Sequence, residues 1–308
     1  MSNQMTDKKQ MLTFVLFGNV YQHEKSAAVG QVLSCLRQKG AQVYIEKEYA
    51  QFLSHSGLIE PNDGSWHVAD TMWSDVNKPA VDFAISIGGD GTLLKTASKV
   101  GRLQIPILGV NMGRLGFLAD VSANDFPVTL EALYSGDYTV EERALIRTES
   151  DGTPIEGCDC ALNDVAILKR DTASMITIRA SINGEFLSTY QADGLIVSSP
   201  TGSTAYSLSN GGPIIVPGTG VMLLTAVAPH SLNVRPIVIP DTAIVELTVS
   251  SRSHSFLVAI DGRSMKMPEG TTLKLSRAPY KVSVVKRPGV RYFTTLREKM
   301  MWGADSRG

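Results

Sequence analysis

The sequence predicts two domains of different class: an N-terminal α/β domain with a Rossmann-like open parallel sheet, then a C-terminal, β-sandwich-like domain. Three observations predict this. Up to about Val110, continuous apolar runs of strand length alternate with helix-period segments, the pattern of strands buried on both faces and joined by crossover helices. After about Asp120 the chain changes to short β-rich runs separated by turn dipeptides, which suits antiparallel pairing. Its 308 residues are enough for two units that each bury a core. Residues 1–120, with the tail 289–308 packing back, are expected to form the first domain and residues 121–288 the second.

Each element follows from local pattern. Met11–Phe17 (MLTFVLF) is the first buried strand. Glu24–Lys39 places Ala27, Ala28, Val32, Leu33 and Leu36 at roughly helical spacing before Gly40, a residue suited to ending helices. Ala41–Ile45 is the second strand, whereas Gln51–Pro79, polar and carrying Trp66 and Trp73, shows no clear period. Val81–Ile87 is a strand broken by Gly88–Gly91, Thr92–Val100 a helix, and Ile105–Val110 a further strand. In the second domain one helix, Ser122–Tyr134, precedes strands at Ala161–Leu168, Met175–Ile182, Gly194–Ser198, Ala243–Val249, Phe256–Ile260 and Val282–Lys286. Turn signals stand at Asn183-Gly184, Asp261-Gly262 and Pro288-Gly289. Tyr292–Trp302 is an amphipathic tail helix.

Composition narrows the partners. Hydrophobic residues make up 43% and charged residues 19%, which excludes a disordered chain. With 29 basic against 30 acidic side chains and no Lys/Arg run, neither nucleic acid nor a membrane surface is expected as a partner held by bulk charge. Met1–Gln10 is polar and lacks a signal-peptide core, and the longest apolar stretch, Val221–Ala228, is too short to span a bilayer. A cytoplasmic protein is expected. Cys35, Cys158 and Cys160 are an odd set with neither a disulfide framework nor zinc spacing, so reduced, structural thiols are expected and no protein metal site.

Three clusters carry candidate chemistry. Gly88-Gly89-Asp90-Gly91-Thr92 lies between a buried strand and a helix, where glycines allow a phosphate to approach the backbone and the helix N-terminus favours an anion. Asp90 inside such a cradle either holds a magnesium ion or accepts a proton from an attacking hydroxyl. The bland reading is a tight turn in which Asp90 caps the helix. Lys95 follows without the glycine pattern of a P-loop. Asn111–Leu118 (NMGRLGFL) fits a second edge of the same crevice or an interdomain loop. Asp193–Gly212 sets Ser198, Ser199, Thr201, Ser203 and Thr204 on a backbone bent by Pro200 and Gly202, followed by Tyr206, Ser207 and Ser209. Such hydroxyls suit reading a base and ribose, with Tyr206 as a stacking plane; a structural Ser/Thr-rich turn is the alternative. Asn163-Asp164 sits mid-strand, where such residues are disfavoured. The stretch Pro229–Pro236 places His230, Ser231 and Arg235 on one loop without triad order.

Together these segments resemble the NAD kinase family, most closely its bacterial members. Its signatures are similar to GGDGT at Gly88–Thr92, to NxGxLGFL at Asn111–Leu118, to Asn163-Asp164, to DGLIVSSPTGSTAYSLSNGG at Asp193–Gly212 and to PHSLxxRP at Pro229–Pro236, in the expected order. GGDGT alone is shared with lipid kinases of the diacylglycerol type, the alternative reading; Asp193–Gly212 separates them. The resemblance implies ATP-dependent phosphorylation of the 2′-hydroxyl on the adenosine ribose of NAD, in a crevice between the two domains. It implies that Asp90 is the proton acceptor and that Gly88, Gly89, Gly91, Thr92 and Lys95 border the phosphates. Asn163 and Asp164, the latter often Glu in the family, would anchor the ribose and adenine region. Thr201, Thr204, Ala205, Tyr206, Ser207, Leu208 and Ser209 would line the adenosine pocket, with Gln191 and Asp193 on the nicotinamide side. It further implies Mg²⁺ delivered with ATP and a homodimer or homotetramer. Because Gln191 is neutral and does not distinguish a cationic nicotinamide ring from a neutral one, some NADH turnover is expected, with NAD still preferred.

Overall fold

The computed structural model describes residues 11–20, 26–60, 64–69, 80–113, 116–171, 174–287, 289 and 292–301. Two compact units emerge: one runs to Glu141 and resumes at Ser283, and the other is Glu142–Val282.

In the first unit, β1 (Thr13–Gly18), α1 (Ser26–Gln38), β2 (Gln42–Glu46), α2 (Lys47–His55) and β3 (Trp66–Ala69) come first. They are followed by β4 (Phe83–Ile87), α3 (Asp90–Val100), β5 (Ile107–Asn111), the short β6 (Val121–Ser122) and α4 (Phe126–Ser135). The strands pair in parallel in the order β3-β2-β1-β4-β5. Every residue of β4 and β5 is buried, as unbroken apolar runs require. Val29, Val32, Leu33 and Leu36 of α1 pack with Phe14, Leu16, Ile45 and Ile85 in one core. The chain moves outward from β1 to β3, then returns to the other side of β1 for β4. That reversal is where open α/β sheets form a ligand crevice, outside the carboxyl ends of the strands.

The stretch without a sequence period contains α2 and β3. The Glu46 side chain accepts from Tyr49 N–H at 3.0 Å, and the helix buries Tyr49, Ala50 and Leu53. Trp66 opens β3, whose middle is exposed; Trp73 lies outside the described residues. Helix α4 starts at Phe126 rather than Ser122, with a proline in its first turn, where the missing N–H costs nothing.

The second unit is antiparallel. Strand β7 (Thr139–Ser150) leads into it, followed by β8 (Cys160–Ala161), β9 (Asp164–Lys169), β10 (Ile176–Ile182), β11 (Glu185–Ala192) and β12 (Gly194–Ser198). After the one-turn α5 (Tyr206–Ser209) come β13 (Val221–Val227), β14 (Ile237–Pro240), β15 (Val245–Ser250), β16 (Ser255–Ile260), β17 (Arg263–Pro268) and β18 (Thr272–Lys286). One sheet runs β14-β13-β12-β9-β16-β17, and a second run pairs β11-β10-β15-β18. Val165, Leu195, Val197, Val258 and Ile260 of the first share a core with Ile178, Ala180, Val245, Leu247 and Leu273 of the second. This is the sandwich-like packing that the alternating runs predict. The end of β18 belongs to the first unit: Val284 pairs in parallel with Ile107, and Lys286 Nζ meets Asp120 Oδ2 at 2.5 Å, both buried. The tail helix α6 (Tyr292–Met300) sets the Tyr292 ring 6.5 Å from that of Phe117. Among the described residues no helix is long and apolar enough to cross a membrane.

Candidate functional site

In the first unit, the candidate residues gather where the strand order reverses. A cleft of about 350 Å³ is lined by Gly18, Asn19 and Val20 at the end of β1 and by Gly89, Gly91, Thr92 and Lys95 after β4. The first three carried no signal of their own, because only strand order brings them beside the GGDGT turn. Gly89 is the N-cap of α3 and supplies no side-chain acceptor, so first-turn N–H groups remain for an anion. Lys95 lies on the rim with its Nζ 3.3 Å from Glu48 Oε2, both side chains exposed.

Asp90 is not the helix cap of the bland reading. It is the first residue of α3, and its carboxylate accepts three backbone N–H bonds from the loop after β5. Phe117 donates to Oδ2 at 2.9 Å, and Leu118 and Ala119 donate to Oδ1 at 3.1 and 2.9 Å. A Cβ on Gly116 would stand 1.8 Å from Asp90 Oδ1, so only glycine lets this loop close over the carboxylate. The Asn111–Leu118 segment is thus the seat of Asp90. Asn111 closes it from within, accepting from Gly113 N–H at 2.7 Å and donating to Ala119 O at 3.3 Å; Arg114 and Leu115 lie outside the described residues. A carboxylate has about four acceptor positions. Three are filled, and the fourth is on Oδ2.

In the second unit, Asn163, Asp164 and the Ser/Thr-rich loop are neighbours. The mid-strand placement of Asn163 is corrected: β9 begins at Asp164, and Asn163 lies in the break after β8. Its carbonyl accepts from Ser199 N–H at 2.9 Å, and Ser199 Oγ donates to Leu162 O at 2.5 Å. A Cβ on Gly202 would lie 2.0 Å from Asn163 O, a contact only glycine permits. Several hydroxyls expected to read a ligand are engaged inside the fold. Ser207 Oγ pairs with Thr225 Oγ1 at 2.8 Å and is buried. Ser203 Oγ donates to Pro200 O at 2.7 Å and accepts from Ile215 N–H, and Thr204 Oγ1 donates weakly to Thr201 O at 3.4 Å. These bonds fix the shape of the loop. Tyr206 is 39% exposed and Ser209 is exposed, with Ala205 and Leu208 half-buried between them.

Asp261, which in sequence marked only a turn, meets this segment. Its carboxylate accepts from the N–H groups of Leu162, Asn163 and Asp164 at 2.7, 2.8 and 3.2 Å. Burial, with the Asp261 carboxylate adding to it, pushes Asp164 up to about 7. Burial also raises Asp261, opposed by those three N–H bonds and by Arg263. Pairing over nearly one hundred residues leaves no local signal.

The remaining candidates stand elsewhere. Asp193 Oδ1 is 2.7 Å from Lys169 Nζ. Gln191 lines a concave surface of about 500 Å³ with residues of β10 and β15, Arg252 and Glu269, and its carbonyl accepts from His230 N–H at 2.8 Å. Thr201 borders a cavity of about 180 Å³ with Arg143, Arg277 and Lys281. Arg235 folds back on its own loop, donating to Leu232 O and Val234 O. The three cysteines are free thiols. The thiol of Cys160 holds Cys158 down, to about 6, and is itself pushed up by that bond and by burial.

Residues 14–138 match the family model "ATP-NAD kinase N-terminal domain" and residues 162–287 match "ATP-NAD kinase C-terminal domain". A protein of Bacteroides fragilis named NAD kinase is 52% identical over 96% of this chain and 100% of its own length. One of Porphyromonas gingivalis with the same name is 42% identical over 96% of this chain and 100% of its own. The chain belongs to the ATP-NAD kinase family. The fold agrees: a yeast NADH kinase solved with NADH superposes at a TM-score of 0.84, with 22% identity, over 97% of this chain and 90% of its own. An NAD kinase from Archaeoglobus fulgidus solved with ATP gives 0.68, at 24% identity, over 94% of this chain and 98% of its own. Membership removes the lipid kinase reading. The N-terminal model takes in the cleft and the Asp90 seat, and the C-terminal model begins at Leu162, the first residue that Asp261 grips.

Proposed function

We infer that this chain is an NAD kinase, moving the terminal phosphoryl group of ATP to the 2′-hydroxyl of the adenosine ribose of NAD. The observation that carries the reading is the glycine-lined cleft at the ends of β1 and β4, on a chain 52% identical along nearly its whole length to a protein named NAD kinase. Phosphoryl transfer asks chiefly for positioning and charge stabilisation. The N–H groups opening α3 and the Lys95 ammonium supply both to a polyphosphate.

Asp90 is the proton acceptor in this reading. Its three amide donors fix the carboxylate in one orientation, and the remaining acceptor position on Oδ2 is open to a substrate hydroxyl. Asn163 and Asp164 anchor the ribose and adenine region. Tyr206 stacks on the base, with Thr201, Thr204, Ala205, Leu208 and Ser209 around it and Ser207 bracing the loop through Thr225. Gln191 and Asp193 face the nicotinamide side, and a neutral Gln191 admits some NADH, with NAD preferred. The residues lining the β1–β4 cleft include no carboxylate, and among the described residues no three His, Cys, Asp or Glu side chains form an ion cage. In this reading Mg²⁺ arrives with the ATP substrate, held by the triphosphate and neutralising its charge. A cytoplasmic homodimer or homotetramer completes the reading.

The test is formation of NADP from NAD, ATP and Mg²⁺ by the purified chain, followed with a dehydrogenase specific for NADP. No NADP above a chain-free control would end the proposal. Equal kcat/KM for NADP formed from NAD and NADPH formed from NADH would end the expected preference for NAD.

A further inference from the structure

The Asp261-Gly262 pair joins β16 to β17, with Ile260 paired to Arg263 across it. Both turn residues have positive φ, 46° and 79°, as a two-residue hairpin of this hand demands. Asn-Gly would meet that demand as well as Asp-Gly. Turn chemistry therefore does not explain an acid here, and burial argues against one. The acid is explained by what it holds. An ionised carboxylate only accepts, and Asp261 takes three successive N–H donors from Leu162, Asn163 and Asp164, while its own N–H donates to Asp164 O at 3.0 Å. Two residues on, Arg263 Nη2 donates to Cys158 O at 3.2 Å and Nε to Ile260 O at 3.2 Å. One turn thus grips the segment 158–164 at both ends. From the other side, Ser199 bonds Leu162 O and Asn163 O.

The arrangement also sets a buried carboxylate, Asp164, beside that of Asp261. A protein selected for stability alone gains nothing from that pair. Violations of this kind are expected where function fixes geometry.

We propose that Asp261 is a positioning residue for the NAD ribose: it locks the Leu162–Asp164 backbone so that Asn163 and Asp164 meet the substrate in one geometry. This rests on the reading of Asn163 and Asp164 as the ribose anchor. Asp261 acts through these residues and does not touch the substrate. Its negative charge has a second effect, since it makes Asp164 harder to ionise, while Arg263 favours the charged form of Asp261 itself. Ionised Asp164 is the better acceptor for a ribose hydroxyl, so the pair sets the pH at which NAD binds well.

Steady-state kinetics of the full chain with Asp261→Asn provide the test. The substitution keeps the turn and removes the charge and at least one acceptor. KM for NAD is expected to rise about tenfold, while KM for ATP stays within about twofold. The acid limb of kcat/KM for NAD is expected to move to lower pH, because Asp164 loses its like-charged neighbour. A merely structural role would raise both KM values together and leave that limb in place, and either result overturns the proposal. Asn163→Ala separates it from the underlying reading. If that variant leaves KM for NAD unchanged, the segment is not the ribose anchor; if KM rises there but not in Asp261→Asn, the anchor stands and the positioning role falls. Should Asp261→Asn fail to fold, Arg263→Lys tests the other arm, keeping the charge but losing the Nη2 bond to Cys158 O. It too is expected to raise KM for NAD alone, and an unchanged value overturns the proposal.

Discussion

Each unit contains an aspartate whose carboxylate takes three consecutive backbone N–H donors: Asp90 from Phe117–Ala119 and Asp261 from Leu162–Asp164. In each, a glycine makes the close approach possible, Gly116 against Asp90 itself and Gly202 against the carbonyl of Asn163. The surroundings differ. Asp90 is half-buried at the start of α3, between glycines that line an open cleft. Asp261 is half-buried too, but it stands in a hairpin turn with the buried acid Asp164 beside it and Arg263 nearby. The same clamp therefore serves two purposes. Beside an open cleft, a fixed carboxylate keeps one oxygen position for chemistry; in the hairpin turn, the fixed object is the backbone that the carboxylate grips.

Asp90→Asn breaks the comparison most severely. Turnover is expected to fall by about 10²–10⁴-fold with NAD affinity retained, measured by NADP formation alongside calorimetry. Near-wild-type turnover would remove Asp90 from the chemistry and make both clamps structural. Next come the glycines. Alanine at Gly116 or Gly202 forces a sub-2.1 Å contact, and each is expected to cost about 1–3 kcal/mol of stability by overpacking. The two should part in function: Gly116→Ala lowers kcat, whereas Gly202→Ala raises KM for NAD. Equal effects on both constants in both variants would erase the distinction.

A milder effect is expected at Tyr206. Tyr206→Ala should weaken NAD binding by about 1–3 kcal/mol, the usual range for base stacking. Unchanged affinity with a lower Tm would make the ring a packing residue. The smallest effect concerns Asp164. Its folded pKa, about 7, lies above the ordinary carboxylate range, so the folded chain binds more protons than the unfolded one between those values. Stability from this group is present at low pH and falls as pH rises through that window. Asp164→Asn should therefore raise Tm by about 2–4 °C near pH 8, with the gain shrinking toward pH 5. A gain independent of pH would mean that Asp164 is ionised throughout.

Local pattern made much of the fold legible. The apolar runs at β1, β4 and β5 have no polar face because the sheet is covered on both sides, and GGDGT announces a strand-to-helix turn by its glycines alone. Helix α2 was hidden because it follows β2 without a loop and is capped by Glu46, a residue type that seldom signals a helix start. Strand β7 carries Glu141, Glu142, Arg143 and Arg147, and half of β11 is exposed, so neither shows apolar alternation. In the site, Asp90 and Asn163-Asp164 stand out because charged and amide residues are misplaced there. Their partners do not. Amide donors carry no side-chain signature, and Asp261 reads as an ordinary hairpin acid until the sheet brings it to Leu162.

The path of β18 has a consequence for synthesis. Val284 completes the edge of the first unit's sheet beside Ile107, and Lys286 provides the cation that buried Asp120 faces. Both residues leave the ribosome after the whole second unit has been made. A nascent chain of the first 141 residues therefore has an open strand edge and an uncompensated buried acid, although most of its core residues are already present. The second unit, continuous from Glu142 to Val282, needs no such later segment. Although it is translated second, it is the unit that can finish first, and the N-terminal unit must wait, exposed to chaperones, for a strand segment encoded after the whole of the second unit.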